Sequence, residues 1–133
     1  MSTSLIVKIL ALMACAPVET SAGRPDPALA GPPVKIVGEA ESCIRIRQIR
    51  QSRVRSDQVI DFEMIGGTIY RSTLPNRCPR LGLEKAFSYA TSLNRVCKQD
   101  IIRVVAPIAG QLDVGAGCGL GEFVPVEYVE SEQ

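Results

Sequence analysis

Val59-Ile60-Asp61-Phe62-Glu63-Met64-Ile65-Gly66-Gly67-Thr68-Ile69-Tyr70 is the stretch on which the fold turns. Apolar and acidic residues alternate up to Met64, the period of a half-buried strand. Ile60, Phe62 and Met64 share one face; Asp61 and Glu63 share the other. Two glycines then separate this run from a second β-type run. A type I′ turn needs positive φ at both central residues, so Gly66-Gly67 reads as the turn of a hairpin. That reading sets Met64 opposite Ile69 and Glu63 opposite Tyr70. It also makes Asp61 and Glu63 two solvent-facing acids, about 7 Å apart by strand rise.

Upstream, Cys43-Ile44-Arg45-Ile46-Arg47 alternates in the same way, with the isoleucines inward and the arginines outward. Downstream, residues 75–82 form a loop holding Cys78. Residues 83–93 fit either period; Glu84, Lys85 and Ala86 favour a helix over 83–91. Ile101–Val105 is a strand by its β-branched run. Residues 107–121 carry five glycines and read as a loop. Phe123–Val129 is a last strand, and Pro125 marks it as an edge or bulged one. The sum is a mainly β fold, or α+β if 83–91 is helical. It is a small antiparallel sheet or open barrel of about five strands with one short helix, stapled by disulfides.

The staples come from five cysteines, Cys15, Cys43, Cys78, Cys97 and Cys118. The last four are spaced 35, 19 and 21 residues apart. A zinc site draws on close pairs such as C-x-x-C, and none is present, so no metal site is expected. A domain of about ninety residues buries only about 60–65% of its unfolded surface, and cross-links help it. Sequence does not choose among the three pairings. The pairing favoured is Cys78–Cys97 with Cys43–Cys118, which clamps 83–93 and ties the first strand to the last.

The chain before the domain reads as an address. Residues 5–16, LIVKILALMACA, are apolar apart from Lys8 and too short to span a bilayer, which needs about 20 residues. This is the pattern of a signal peptide. Leu12-Met13-Ala14-Cys15 resembles the lipobox of bacterial lipoproteins, in which the cysteine becomes the lipidated first residue. Cleavage after Ala22 is the alternative. Residues 16–41 are rich in Pro, Ala and Gly and read as a linker. The expected organisation is therefore a signal peptide at 1–15, a linker at 16–41 and one domain at 42–130. The expected location is the periplasm, or a membrane reached through lipid on Cys15.

Composition excludes several chemistries. There is no histidine, which removes the commonest general base and every Ser-His-Asp or Cys-His arrangement. There is no tryptophan, and there are six other aromatics, too few for a base-stacking platform. The formal net charge of +1 offers no whole-chain field for nucleic acid, which is not an expected partner. A histidine-free enzyme would have to use Asp61 with Glu63, or Asp100 with Asp113. No catalytic residue is assigned and no cofactor is expected. The glycines of 115–121 miss the G-x-G-x-x-G spacing and precede a strand, so they do not read as a phosphate loop.

The one charge concentration is Arg45, Arg47, Arg50, Arg53 and Arg55, five arginines within Cys43–Ser56. It is a candidate patch for an anionic partner. Glu122, Glu127, Glu130 and Glu132 could neutralise part of it if the first and last strands were neighbours.

Several landmarks resemble a family of small exported proteobacterial proteins: Cys43-Ile44, Asp57, Ile60-Asp61-Phe62, Tyr70-Arg71, Leu74, Arg77-Cys78-Pro79, Leu81, Phe87-Ser88-Tyr89, Val96-Cys97, Asp100-Ile101, Cys118-Gly119-Leu120-Gly121 and Phe123. The resemblance spans about residues 42–126. It implies export and a disulfide-bearing fold, and it lends no activity, ligand or catalytic residue. The expected function is a non-enzymatic, tethered interaction module of the cell envelope, with an envelope protein or an anionic surface as partner. The alternative is a small-ligand binder with 107–121 as a mobile loop over a pocket lined by Phe62, Met64 and Ile69.

Overall fold

The computed structural model describes residues 31–91 and 93–129. The hairpin at its centre forms as expected, with β4 (Val59–Met64) antiparallel to β5 (Ile69–Thr73). Its register is one residue away from the expected one: Glu63 faces Ile69 and Phe62 faces Tyr70. The loop is three residues long, not two. Met64 N donates to Thr68 O at 2.8 Å, and Gly67 N donates to Met64 O at 3.1 Å. Gly66 and Gly67 both have positive φ, 104° and 98°. A one-residue shift exchanges the faces of the second strand. Tyr70 and Ser72 therefore share the face of Phe62, and Arg71 comes to lie opposite Asp61.

Three more strands extend this pair into a sheet of order β1-β10-β5-β4-β3, with β1 (Val34–Ile36), β3 (Ile49–Val54) and β10 (Phe123–Tyr128). β1 comes from residues expected to be linker. It covers β10, so the strand containing Pro125 is internal, not an edge. The proline is tolerated because its ring nitrogen faces the side on which β1 has just ended. Pro125 O accepts from Val37 N at 2.9 Å, one residue past β1. Beyond it, Glu41 bridges Phe123.

A second sheet has the order β6-β8-β9, with β6 (Phe87–Tyr89), β8 (Ile101–Ile108) and β9 (Gln111–Gly119). The expected glycine-rich loop is thus largely strand, turning at Ala109-Gly110. Its glycines make room: a Cβ on Gly117 would come 2.6 Å from Ile101 Cγ2 across the pair. The helix α1 is one turn, Leu81–Glu84, and not 83–91. Lys85, at φ 55°, ends it, and Phe87 and Tyr89 then follow strand alternation.

A short ribbon completes the fold, β2 (Cys43–Arg45) against β7 (Arg95–Cys97). All the strand pairs are antiparallel, and the sheets stay open. The core between them gathers Ile44, Ile60, Phe62, Leu74, Leu81, Val96, Ile102, Leu120 and Phe123. Phe62 sits edge-on to both Phe123, at 5.5 Å, and Phe87, at 6.4 Å.

The disulfides are Cys43–Cys97 and Cys78–Cys118, so the favoured pairing is corrected. The first strand of the expected domain meets β7, not the last strand, and this sets Cys43 directly opposite Cys97. The two loops, with separations of 54 and 40 residues, interleave rather than nest.

Candidate functional site

The arginine series divides in two. Arg50 and Arg53 reach Glu63 at 3.8 and 3.7 Å, and Arg55 reaches Asp61 at 3.1 Å. Their neutralising acids come from β4, the neighbour of β3, and not from the C-terminal glutamates. Glu122 pairs with Lys98 at 3.6 Å and Glu127 with Lys35 at 3.9 Å. Glu130, Glu132 and Cys15 lie outside the described residues.

Asp61 is not a solvent-facing acid. It is 1% exposed. The register that sets Arg71 opposite it also gives it a partner, with Arg71 Nε donating to Oδ1 at 2.7 Å and Nη2 to Oδ2 at 3.0 Å. Arg55 Nε and the Tyr128 hydroxyl donate to Oδ2 at 3.1 and 2.8 Å. Arg55 Nη2 donates in turn to the Tyr128 oxygen at 2.8 Å. Burial by itself pushes a carboxyl pKa up; here the donors from Arg71, Tyr128 and Arg55 outweigh it and hold Asp61 below the usual carboxylate value. Burial and Asp61 push the Tyr128 phenol up, against the pull of Arg55. Asp61 is therefore a fixed anion with no proton to give, and it cannot be the acid of a carboxylate pair with Glu63.

The other candidate acids also hold backbone or stand apart. Asp100 Oδ2 accepts from Cys97 N at 2.7 Å. Asp113 lies opposite Ala106, towards the far end of the β8–β9 hairpin from Asp100. Asp57, a landmark of the resemblance to which the sequence assigned no role, organises the loop containing Cys78. Its carboxylate accepts from Gly82 N at 2.7 Å and from Arg77 Nε at 2.9 Å, and its carbonyl from Cys78 N at 2.8 Å. The Gly82 bond, against burial and with help from Arg77, holds its pKa low. The expected ligand pocket is also corrected: Phe62 and Met64 are buried in the core, and Ile69 lies on the opposite face of the sheet.

What remains of the basic patch is Arg45 and Arg47, and the fold adds Arg95 to them. Ile44 and Val96 face each other in the core, so the flanking Arg45 and Arg95 meet on the outer face. Arg47 follows in a 3-10 turn, Ile46–Gln48, whose Ile46 N donates to Asn94 O at 3.0 Å. Together Arg45, Arg47, Gln48, Leu93, Asn94 and Arg95 line an open cleft of about 520 Å³. Cys43–Cys97 lies next to the arginine pair on that outer face. Arg95 was missed, although a signal for it existed. Cys43-Ile44-Arg45 and Arg95-Val96-Cys97 are one pattern read in opposite directions, so an antiparallel register that sets Cys43 opposite Cys97 also sets Arg45 opposite Arg95.

Disulfides persist in oxidising compartments, so the two bonds mark a non-cytoplasmic setting. No helix among the described residues is long and apolar enough to cross a membrane. Compared with protein-family models, curated proteins and solved structures, the chain finds no match.

Proposed function

We propose that this chain is an exported, disulfide-stapled interaction module of the cell envelope, which works by contact with an anionic partner and not by catalysis. The signal-like residues 5–16 supply the address, and the lipobox-like Cys15 an acyl anchor. The Pro-rich stretch from residue 16 to β1 supplies a tether. The observation that carries the reading is a ribbon of like charge. Arg45 and Arg95 lie directly opposite each other beside a disulfide, with Arg47 on the same cleft and no carboxylate within 4 Å among the described residues. Like charges opposed across a strand pair oppose pairing. A binding surface can use that uncompensated charge; a purely structural ribbon gains nothing from it.

The test is the intact mass of the protein from its native membrane and soluble fractions, with alkylation before and after reduction. The expected species begins at Cys15, carries acyl mass and alkylates at four cysteines only after reduction. An unacylated chain beginning after Ala22 overturns the tether and keeps export. An unprocessed chain with free thiols overturns the whole reading.

A further inference from the structure

Ten arginines lie among the described residues, and six have a carboxylate oxygen of another described residue within 4 Å: Arg50, Arg53, Arg55, Arg71, Arg77 and Arg80. The other four are Arg45, Arg47, Arg95 and Arg103. Three of these four line the one cleft on the β2–β7 ribbon. Arginines without a described carboxylate partner are thus concentrated in one cleft, while Glu63 and Asp61 each serve two of the other six.

The cleft's chemistry narrows its ligand. Guanidinium groups match carboxylates and phosphates alike through paired N–H donors. Asp61 shows within the same molecule what a carboxylate takes: two arginines and a phenol occupy its two oxygens. Three arginines with no acid among them exceed one carboxylate's charge. They suit a group with three or more oxygens and up to about two negative charges, which is a phosphate. The volume of about 520 Å³ is within the range of organic-ligand sites and far larger than a bare ion needs. Leu93 adds an apolar wall, and Gln48 and Asn94 add amides.

We propose that the β2–β7 cleft binds a phosphate ester, with the phosphoryl oxygens on Arg45, Arg47 and Arg95 and the organic part against Leu93. This rests on the reading of the ribbon as the contact surface, and it names what is contacted. The ester could be a lipid headgroup or a soluble metabolite, and the phosphate chemistry is common to both.

The test uses the oxidised mature chain, residues 15–133 with Cys15→Ser, so that neither an acyl chain nor the apolar residues 5–14 contribute to membrane binding. Glycerol 3-phosphate is titrated while the arginine Nε–Hε resonances are followed by NMR, with glycerol, sulfate and inorganic phosphate as comparisons. Shifts are expected at Arg45, Arg47 and Arg95. Arg47→Gln and Arg95→Gln should each weaken binding at least tenfold, and Arg103→Gln should leave it unchanged. Arg95→Gln should also raise the melting temperature, because it removes one member of a repelling pair; a structural arginine would lower it. Co-sedimentation with phosphatidylcholine vesicles, with and without phosphatidic acid, separates the sources. Sedimentation that depends on phosphatidic acid supports the site with a lipid headgroup as ligand. Glycerol 3-phosphate binding without such sedimentation supports it with a soluble ester. Unchanged affinity in Arg47→Gln and Arg95→Gln, or an equal loss in Arg103→Gln, overturns the site. Sulfate or inorganic phosphate binding as tightly as the ester overturns the organic half. An exported, disulfide-bonded protein that binds no ester loses this proposal and keeps the export reading.

Discussion

Asp61 is the residue on which stability and pH meet. Its folded pKa lies below the ordinary carboxylate value, so the unfolded chain takes up the proton first as pH falls. The stability it contributes is complete above the unfolded value of about 3.9 and is lost as pH drops through the folded value. Asp57, also held low, adds in the same direction. Urea midpoints measured from pH 7 down to pH 2 should therefore fall below about pH 4, and Asp61→Asn should flatten that fall. At neutral pH the same variant leaves Arg71 and Arg55 facing an uncharged amide, at a cost of about 2–4 kcal/mol. Tyr128→Phe removes one donor to Asp61 and the acceptor for Arg55, and should cost about 1–2 kcal/mol in the same urea series. None of this was visible from Asp61 itself. Alternation put it correctly opposite Phe62's face, but whether that face is wet depends on β5 and β10, and Arg71 reaches it only because the loop holds three residues. Arg45 at the cleft is the reverse case: its outward direction follows from Ile44 alone, while its partner Arg95 lies fifty residues away.

Among the elements, β4 and the existence of its hairpin were legible because strand period and glycine turn agree locally, but the glycine pair did not give the three-residue loop, and the register lay one residue away. The β2–β7 ribbon was only half legible. Alternation around Cys43 gave one strand, but three residues around Cys97 are too few to show a period. The glycine-rich β9 was misread because composition was taken for conformation. A glycine can mark a loop, or it can mark a place where another chain segment comes close. Gly121 is of the second kind: Ser72 Oγ donates to its carbonyl at 2.9 Å, its own N donates back at 3.1 Å, and an added Cβ would collide with the Thr73 carbonyl. Gly66 is of the first kind, with positive φ and open space around its Cβ position. The two substitutions should separate cleanly in thermal melts. Gly66→Ala should cost about 1 kcal/mol, the strain of a left-handed alanine. Gly121→Ala has to move the backbone at the joint between β5 and β10 and should cost more than about 3 kcal/mol. Equal losses would mean that the approach of Gly121 to Thr73 is relieved without effort.

In the whole molecule, two small sheets and a ribbon are held by cross-links that do different work. Cys78–Cys118 joins the corner organised by Asp57 to β9 and so couples one sheet to the other. Cys43–Cys97 joins strands that pair through only three residues and whose arginines repel. By chain entropy alone, loops of 54 and 40 residues differ little, and each bond is worth about 4 kcal/mol. Local consequences should differ more. Without Cys78–Cys118 the strand ladders remain, and the loss is of global stability. Without Cys43–Cys97 the ribbon keeps a short ladder against the repulsion of Arg45 and Arg95, and Ile44 and Val96 lose the clamp that holds them in the core. Hydrogen exchange on the paired Cys→Ser variants should show this. In Cys43→Ser with Cys97→Ser, the amides of Ile44 and Val96 should lose protection well beyond that of Ile60 in the central sheet. In Cys78→Ser with Cys118→Ser, all three should lose it together. Uniform loss in both variants would make the ribbon part of one cooperative unit. Selective loss in the first would tie the arginine cleft to the oxidised state of its own disulfide, so that the cleft is assembled only where that bond can form.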